Sequence, residues 1–145
     1  PEGAESFGLT VPSSGLPRPA FASYQMVVEQ FAGVTDATLY RSDHIDVVLL
    51  DHADGHSITV LWTTTETSAI VEISARGEKA YLLDQYGNQS LIRLVDGVYR
   101  LELEPARCTE TDGCFIGGSV KVLIQTGGNL TIKQISPTEH GLLDE

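Results

Sequence analysis

The stretch HIDVVLLDHADGHSITVLWTT, residues 44–64, constrains the fold more than any other. Ile45, Val47 and Leu49 alternate with Asp46 and Val48, and Ile58, Val60 and Trp62 alternate with Thr59 and Leu61. Alternation of this kind writes two strands, each with one set of side chains on a buried face and the other set opposite. Asp54-Gly55 lies between them, and an Asp-Gly pair supplies the positive φ that a hairpin turn needs. A two-stranded ribbon is not stable alone. The remaining chain must therefore supply the sheet that covers it.

That sheet is legible in the runs that follow. Strands are expected at 36–41, 45–50, 57–64, 69–74, 79–83, 91–95, 98–104, 120–125 and 130–135. Turn dipeptides separate several of them: Asp54-Gly55, Arg76-Gly77, Gly87-Asn88, Asp96-Gly97 and Gly127-Gly128. In VYRLELE, Tyr99, Leu101 and Leu103 share one face, and Val98, Arg100, Glu102 and Glu104 the other. Short strands spaced near ten residues predict an all-β fold, a two-sheet antiparallel β-sandwich. One amphipathic helix precedes it. In PAFASYQMVVEQFA, 19–32, Phe21, Tyr24, Val28 and Phe31 recur at helical spacing and form one apolar stripe. Pro19 suits its first turn and Gly33 the left-handed position that ends it. The stripe must pack on something, and a small sandwich offers little spare surface for it. The expected division is an irregular segment plus helix at 1–33, a sandwich at 34–136 and a tail at 137–145.

Length and charge bound the function. A chain of 145 residues makes one ordinary domain able to bury roughly two-thirds of its unfolded surface. The net charge of −11, with nine Lys plus Arg, disfavours nucleic acid and anionic membranes because it repels phosphates. No apolar run approaches the roughly 18 residues a membrane helix needs. The first residue is Pro and no signal-like segment precedes the fold, which is expected of a mature product or a piece of a longer chain.

Cys108 and Cys114 bracket a polar, Gly-containing insert that reads as a loop. They are expected to close a small disulfide ring, which places the protein in a secreted or extracytoplasmic setting. The alternative is a pair of reduced thiols flanking the loop. Two cysteines are too few for a structural zinc site.

Three stretches resemble the C-terminal segment of (β/α)8-barrel glycoside hydrolases of the β-xylosidase, α-iduronidase and glucocerebrosidase-like types. SGLPRPAFASYQMVVEQFAG, 14–33, looks like the loop and final outer helix of such a barrel. ITVLWTT, 58–64, with KAYLLDQYGNQ, 79–89, is similar to a V-L-W … D-x-x-G-N run in the sandwich that follows. YRLELEPARC, 99–108, with CFIGGSVKVLIQ, 114–125, looks like its closing stretch, with Ser119-Val120 standing where Pro often follows. The resemblance implies a non-catalytic accessory domain of a secreted glycoside hydrolase. Its partner would be the (β/α)8 catalytic domain of the same parent chain, and its catalytic glutamates would lie on barrel strands upstream. No residue here matches either glutamate, so the chain is expected not to be an enzyme, and no cofactor is implied.

Two other readings stand beside that one: a free-standing carbohydrate-binding module, and an extracellular structural or adhesive sandwich. A binding module needs exposed aromatic faces on which sugar rings stack. The candidates are Tyr86 at the 84–88 turn, Tyr81 on a strand, and Trp62, whose parity with Ile58 and Val60 also suits a core position. Tyr99 shares its face with Leu101 and Leu103 and reads as core. Asp43, His44, Asp46, Asp51, His52, Asp54 and His56 form the densest polar cluster. Their spacing matches no known metal loop and reads as ordinary turn chemistry, so no metal ligand is expected. No Gly-x-Ser-x-Gly elbow exists, and the Gly-Gly pairs read as backbone turns rather than phosphate cradles.

Overall fold

The computed structural model describes residues 8–77, 79–109, 113–126 and 132–137, and for 108–109, 113–116 and 132–137 it describes the backbone. The helix α1 (Pro19–Phe31) leads into β1 (Val34–Arg41), β2 (Ile45–His52) and β3 (His56–Thr63). Then come β4 (Ala69–Ser74), β5 (Ala80–Leu83), β6 (Gln89–Leu91), β7 (Leu94–Val95) and β8 (Val98–Leu103). The last elements are β9 (Arg107–Thr109), β10 (Gly113–Ile116), β11 (Lys121–Thr126) and β12 (Ile132–Pro137). A six-stranded sheet runs β1-β2-β3-β11-β5-β6 and a four-stranded sheet runs β12-β4-β8-β7, with all pairings antiparallel. No helix among the described residues is long and apolar enough to cross a membrane.

The alternating strands place the sheets face to face. Ile45, Val47, Leu61, Ala80 and Leu123 from the larger sheet meet Ala69, Val71, Ile73, Tyr99, Leu101 and Leu103 from the smaller one in a single buried cluster. This is the expected all-β sandwich, and the β8 pattern buries Tyr99, Leu101 and Leu103 as its alternation requires. The larger sheet is apolar on its other face as well. There Leu50, Ile58, Leu83 and Val122 pack with Met26 of the helix, flanked by Phe31, Val34, Val48, Val60 and Ile124. Hence β2 and β3 place hydrophobes on both of their faces, and each strand feeds a core on both sides.

Three expectations are corrected. The helix turns a different side to the sheet than its stripe suggests. Met26 is its buried residue and Phe31 is half-buried, whereas Phe21, Tyr24 and Val28 are exposed. The helix carries apolar residues on much of its circumference, and the sheet accepts the single unbranched Met, whose flexible chain fits between β-branched neighbours. Residues 91–95 do not form one strand. The chain leaves the larger sheet after Leu91 and joins the smaller one at Leu94, with Ile92 tucked against the inter-sheet core. The segment around the cysteines is not a bare loop but the hairpin of β9 and β10, paired antiparallel. That hairpin puts the backbones of Cys108 and Cys114 on adjacent strands, and their side chains lie outside the described residues. Of the expected tail at 137–145, Pro137 ends β12, and 138–145 lie outside the described residues.

Candidate functional site

Two of the three aromatic candidates line one groove. Trp62 stands on the helix-side face of β3, opposite Asp46 of β2, and is half-buried. Its indole lies against Gly117, where any Cβ would overlap the Trp62 ring and approach the Thr63 carbonyl oxygen at 2.9 Å. Gly118 is equally confined, wedged against Thr63 and Glu104. The Gly-Gly pair lets the backbone pack closely against Trp62, Thr63 and Glu104.

Tyr86 is fixed by the turn that carries it. Asp84 Oδ1 accepts hydrogen bonds from the Tyr86 and Asn88 backbone N–H groups at 2.8 and 2.9 Å, and Oδ2 accepts one from Asn88 Nδ2 at 2.7 Å. Desolvation at this partly buried site pushes the Asp84 carboxyl up. The Asn88 side chain, the two backbone N–H groups and the Lys121 charge together outweigh it and hold the carboxyl below its ordinary value. Gly87, at φ +83°, closes the turn directly over Met26 of the helix.

The groove between Trp62 and Tyr86 has a volume of about 450 Å³ and is also lined by Gln85, Arg107, Ser119 and Val120. That volume lies within the usual range for small-ligand clefts. Two aromatic rings, an amide, a guanidinium and a hydroxyl are the groups that stack on a sugar's C–H face and bind its hydroxyls. No carboxylate is among the described lining residues. Tyr81 is not part of the groove. It is half-buried on β5, with Ile124 and Leu91 as cross-strand neighbours. Arg107 and Gln85 join the site without a sequence signal, because Arg107 arrives on a strand too short and polar to be read as one.

A second surface is the outward side of the helix. Tyr24 and Val28 are 56% and 51% exposed, with Phe21 and Val27 beside them also exposed. Leu39 of the edge strand β1, paired with Val48 on the helix-side face of the sheet, is 50% exposed.

The third feature is the β2–β3 turn. His52 and His56 flank the loop Ala53-Asp54-Gly55, with Gly55 at φ +86° and its N–H donating to the His52 carbonyl oxygen at 3.0 Å. The two imidazoles stack at a centroid distance of 4.0 Å. Asp54 Oδ1 lies 2.9 Å from His52 Nδ1 and also contacts His56 Nδ1. The His56 backbone N–H chiefly holds the Asp54 carboxyl below its ordinary value, against some desolvation, and the His52 hydrogen bond and both imidazoles add to it. Asp43, His44 and Asp46 belong to the opposite end of the β2 strand and do not join this group.

No protein-family model matches the chain, and comparison with curated proteins and with solved structures finds no match.

Proposed function

We propose that this chain is a non-catalytic accessory β-sandwich domain that docks through helix α1 onto a larger catalytic domain of a secreted glycoside hydrolase. The observation that carries the reading is the exposed apolar side of α1. Phe21, Tyr24, Val27 and Val28 form a contiguous run of large hydrophobes that no described residue of this chain buries. A helix whose inner side already serves the sheet, and whose outer side is equally apolar, is built to lie between two bodies. The glycosidase assignment and the barrel as the second body rest on the resemblance of 14–33, of 58–64 with 79–89, and of 99–108 with 114–125. The Cys108–Cys114 disulfide belongs to the same proposal, and the β9–β10 pairing keeps the two backbones adjacent. The mass of the native polypeptide, read by immunoblot of its source, tests this. A band far above 15.7 kDa is expected, and a band at 15.7 kDa sinks the proposal.

The Trp62–Tyr86 groove favours a second reading, a carbohydrate-binding module. It requires measurable affinity for a soluble polysaccharide in affinity electrophoresis, lost in Tyr86→Ala while the Tm is unchanged. A Tyr86→Ala protein that migrates like the parent with every polysaccharide tested rules it out.

A further inference from the structure

The geometry points to a binding site for one borderline divalent cation, of the zinc or copper class, formed by His52, Asp54 and His56. These three side chains each offer one ligand atom, and all three atoms lie within 4.8 Å of one another. Two observations separate the group from an ordinary polar turn.

The first is the fixed orientation of His52. Its Nε2 meets the Ala32 carbonyl oxygen at 2.5 Å. A carbonyl oxygen only accepts, so Nε2 donates to it, and the ring turns its Nδ1 to the other side. On that side stands Asp54 Oδ1 at 2.9 Å. A ring nitrogen and a carboxylate oxygen this close share a cation, either a proton or a metal ion. The anchoring of a ligand imidazole by its other nitrogen on a backbone carbonyl is how metal-binding histidines are oriented. Gly33 makes the anchor possible: a Cβ there would sit 2.8 Å from His52 Nε2.

The second is the placement of His56. It is stacked on His52 at 4.0 Å and turns its own Nδ1 to the same Asp54 oxygen. One divalent ion set among the three atoms would take both ring nitrogens and the carboxylate oxygen as ligands. Two imidazole nitrogens and one carboxylate oxygen form a donor set that suits zinc or copper and not the all-oxygen preference of calcium and magnesium. Zinc holds such ligands at roughly 2.0–2.2 Å and tetrahedral ligand atoms roughly 3.3 Å apart, so the His52–Asp54 contact of 2.9 Å would open by about 0.4 Å and the closer His56–Asp54 contact by more. The Asp54 side chain is 62% exposed, which leaves the remaining coordination position to water. The ion would fasten the β2–β3 turn to the end of α1 through the Ala32 carbonyl.

The test is titration of the chelator-stripped protein with Zn2+ by calorimetry, with His44→Ala, His56→Ala and Asp54→Ala variants checked for folding by circular dichroism. One Zn2+ per chain is expected, kept in His44→Ala and weakened at least about tenfold in His56→Ala and in Asp54→Ala. His56→Ala is the decisive variant because His52 also braces the helix end. Zn2+ should raise the Tm of the parent and not of His56→Ala. The Cu2+-loaded protein should show nitrogen superhyperfine splitting in its electron paramagnetic resonance spectrum, reduced in His56→Ala. Absence of Zn2+ binding at micromolar concentrations overturns the inference. So does binding that all three variants retain, or Ca2+ competing on equal terms.

Discussion

Replacing Thr59 with valine should stabilise the protein. Thr59 is fully buried on the inter-sheet side of β3, and its hydroxyl has no hydrogen-bond partner among the described residues. A buried hydroxyl without a partner carries its desolvation cost uncompensated, and valine keeps the shape while removing the polar atom. The expected gain is about 1 kcal/mol, read as a higher urea midpoint with an unchanged slope. A lower midpoint would mean that the hydroxyl is satisfied in solution. Gly117→Ala should act in the opposite direction. The new methyl group meets the Trp62 indole on one side and backbone on the other, so neither can yield cheaply. A loss of about 2 kcal/mol is expected, together with a shift in Trp62 fluorescence, which reports whether the indole has been displaced. At this scale the sequence said little about Thr59. Its alternation with Ile58 and Val60 sets its side of the sheet, but nothing local says that the opposing sheet denies it a partner.

Elements differ in how openly their sequence declares them. The strands from 45 to 74 and from 98 to 103 were legible because two-residue periodicity and Asp-Gly turns agree, and the structure keeps their bounds within a residue or two. Helix α1 was legible as an element but not in orientation. Phe21, Tyr24 and Val28 satisfy a helical stripe as well as Met26 does, and only the neighbouring sheet decides which side is inside. That difference has a measurable consequence. Met26→Ala removes the helix's buried anchor and should cost about 2–3 kcal/mol, whereas Val28→Ser on the outer side should change stability by less than about 0.5 kcal/mol, both read from thermal unfolding. Equal losses would place the inner face elsewhere. The 84–88 turn was readable from Asp84, Gly87 and Asn88, and so was exposed Tyr86 at its tip. The Trp62–Tyr86 groove was not, since it forms only when β3, the 84–88 turn and the β9–β10 hairpin meet in space. Asp84 also gives the turn a pH dependence. Its carboxyl is held below the ordinary value of 3.8, so its stabilising effect is complete above that value and is lost as the pH falls through the lower folded-state value. Asp84→Asn should therefore be less stable than the parent at pH 7 by about 1 kcal/mol. The gap should narrow below the ordinary carboxylate value, as seen by comparing urea midpoints across that range. A gap that is constant with pH would assign the effect to shape rather than charge.

On the scale of the whole molecule, two opposing surface properties set how the isolated chain behaves. Its net charge of −11 makes copies repel one another. The outer side of α1, with Tyr24 and Val28 more than half exposed, gives them an apolar surface to share. The first property depends on salt and the second does not weaken with it. At 0.01 M ionic strength the screening length is about 30 Å, comparable to the size of the domain, and repulsion acts between whole molecules. At 1 M it falls to about 3 Å, and only groups in near contact still feel one another's charge. The isolated domain should accordingly be monomeric at low salt and self-associate as salt rises, reversing the usual dissociation of charge-held complexes. Sedimentation at the two ionic strengths measures this. The variant carrying Tyr24→Ser and Val28→Ser should remain monomeric at both, with its Tm unchanged, because these side chains contribute nothing to the sandwich core. Association that survives the double substitution would locate the sticky surface elsewhere, the exposed Leu39 and Tyr40 of edge strand β1 being next. Loss of association would identify the outer side of the helix as the apolar surface that the copies share. It would also explain why this chain keeps large hydrophobes on a helix whose inner side its own sheet has already filled.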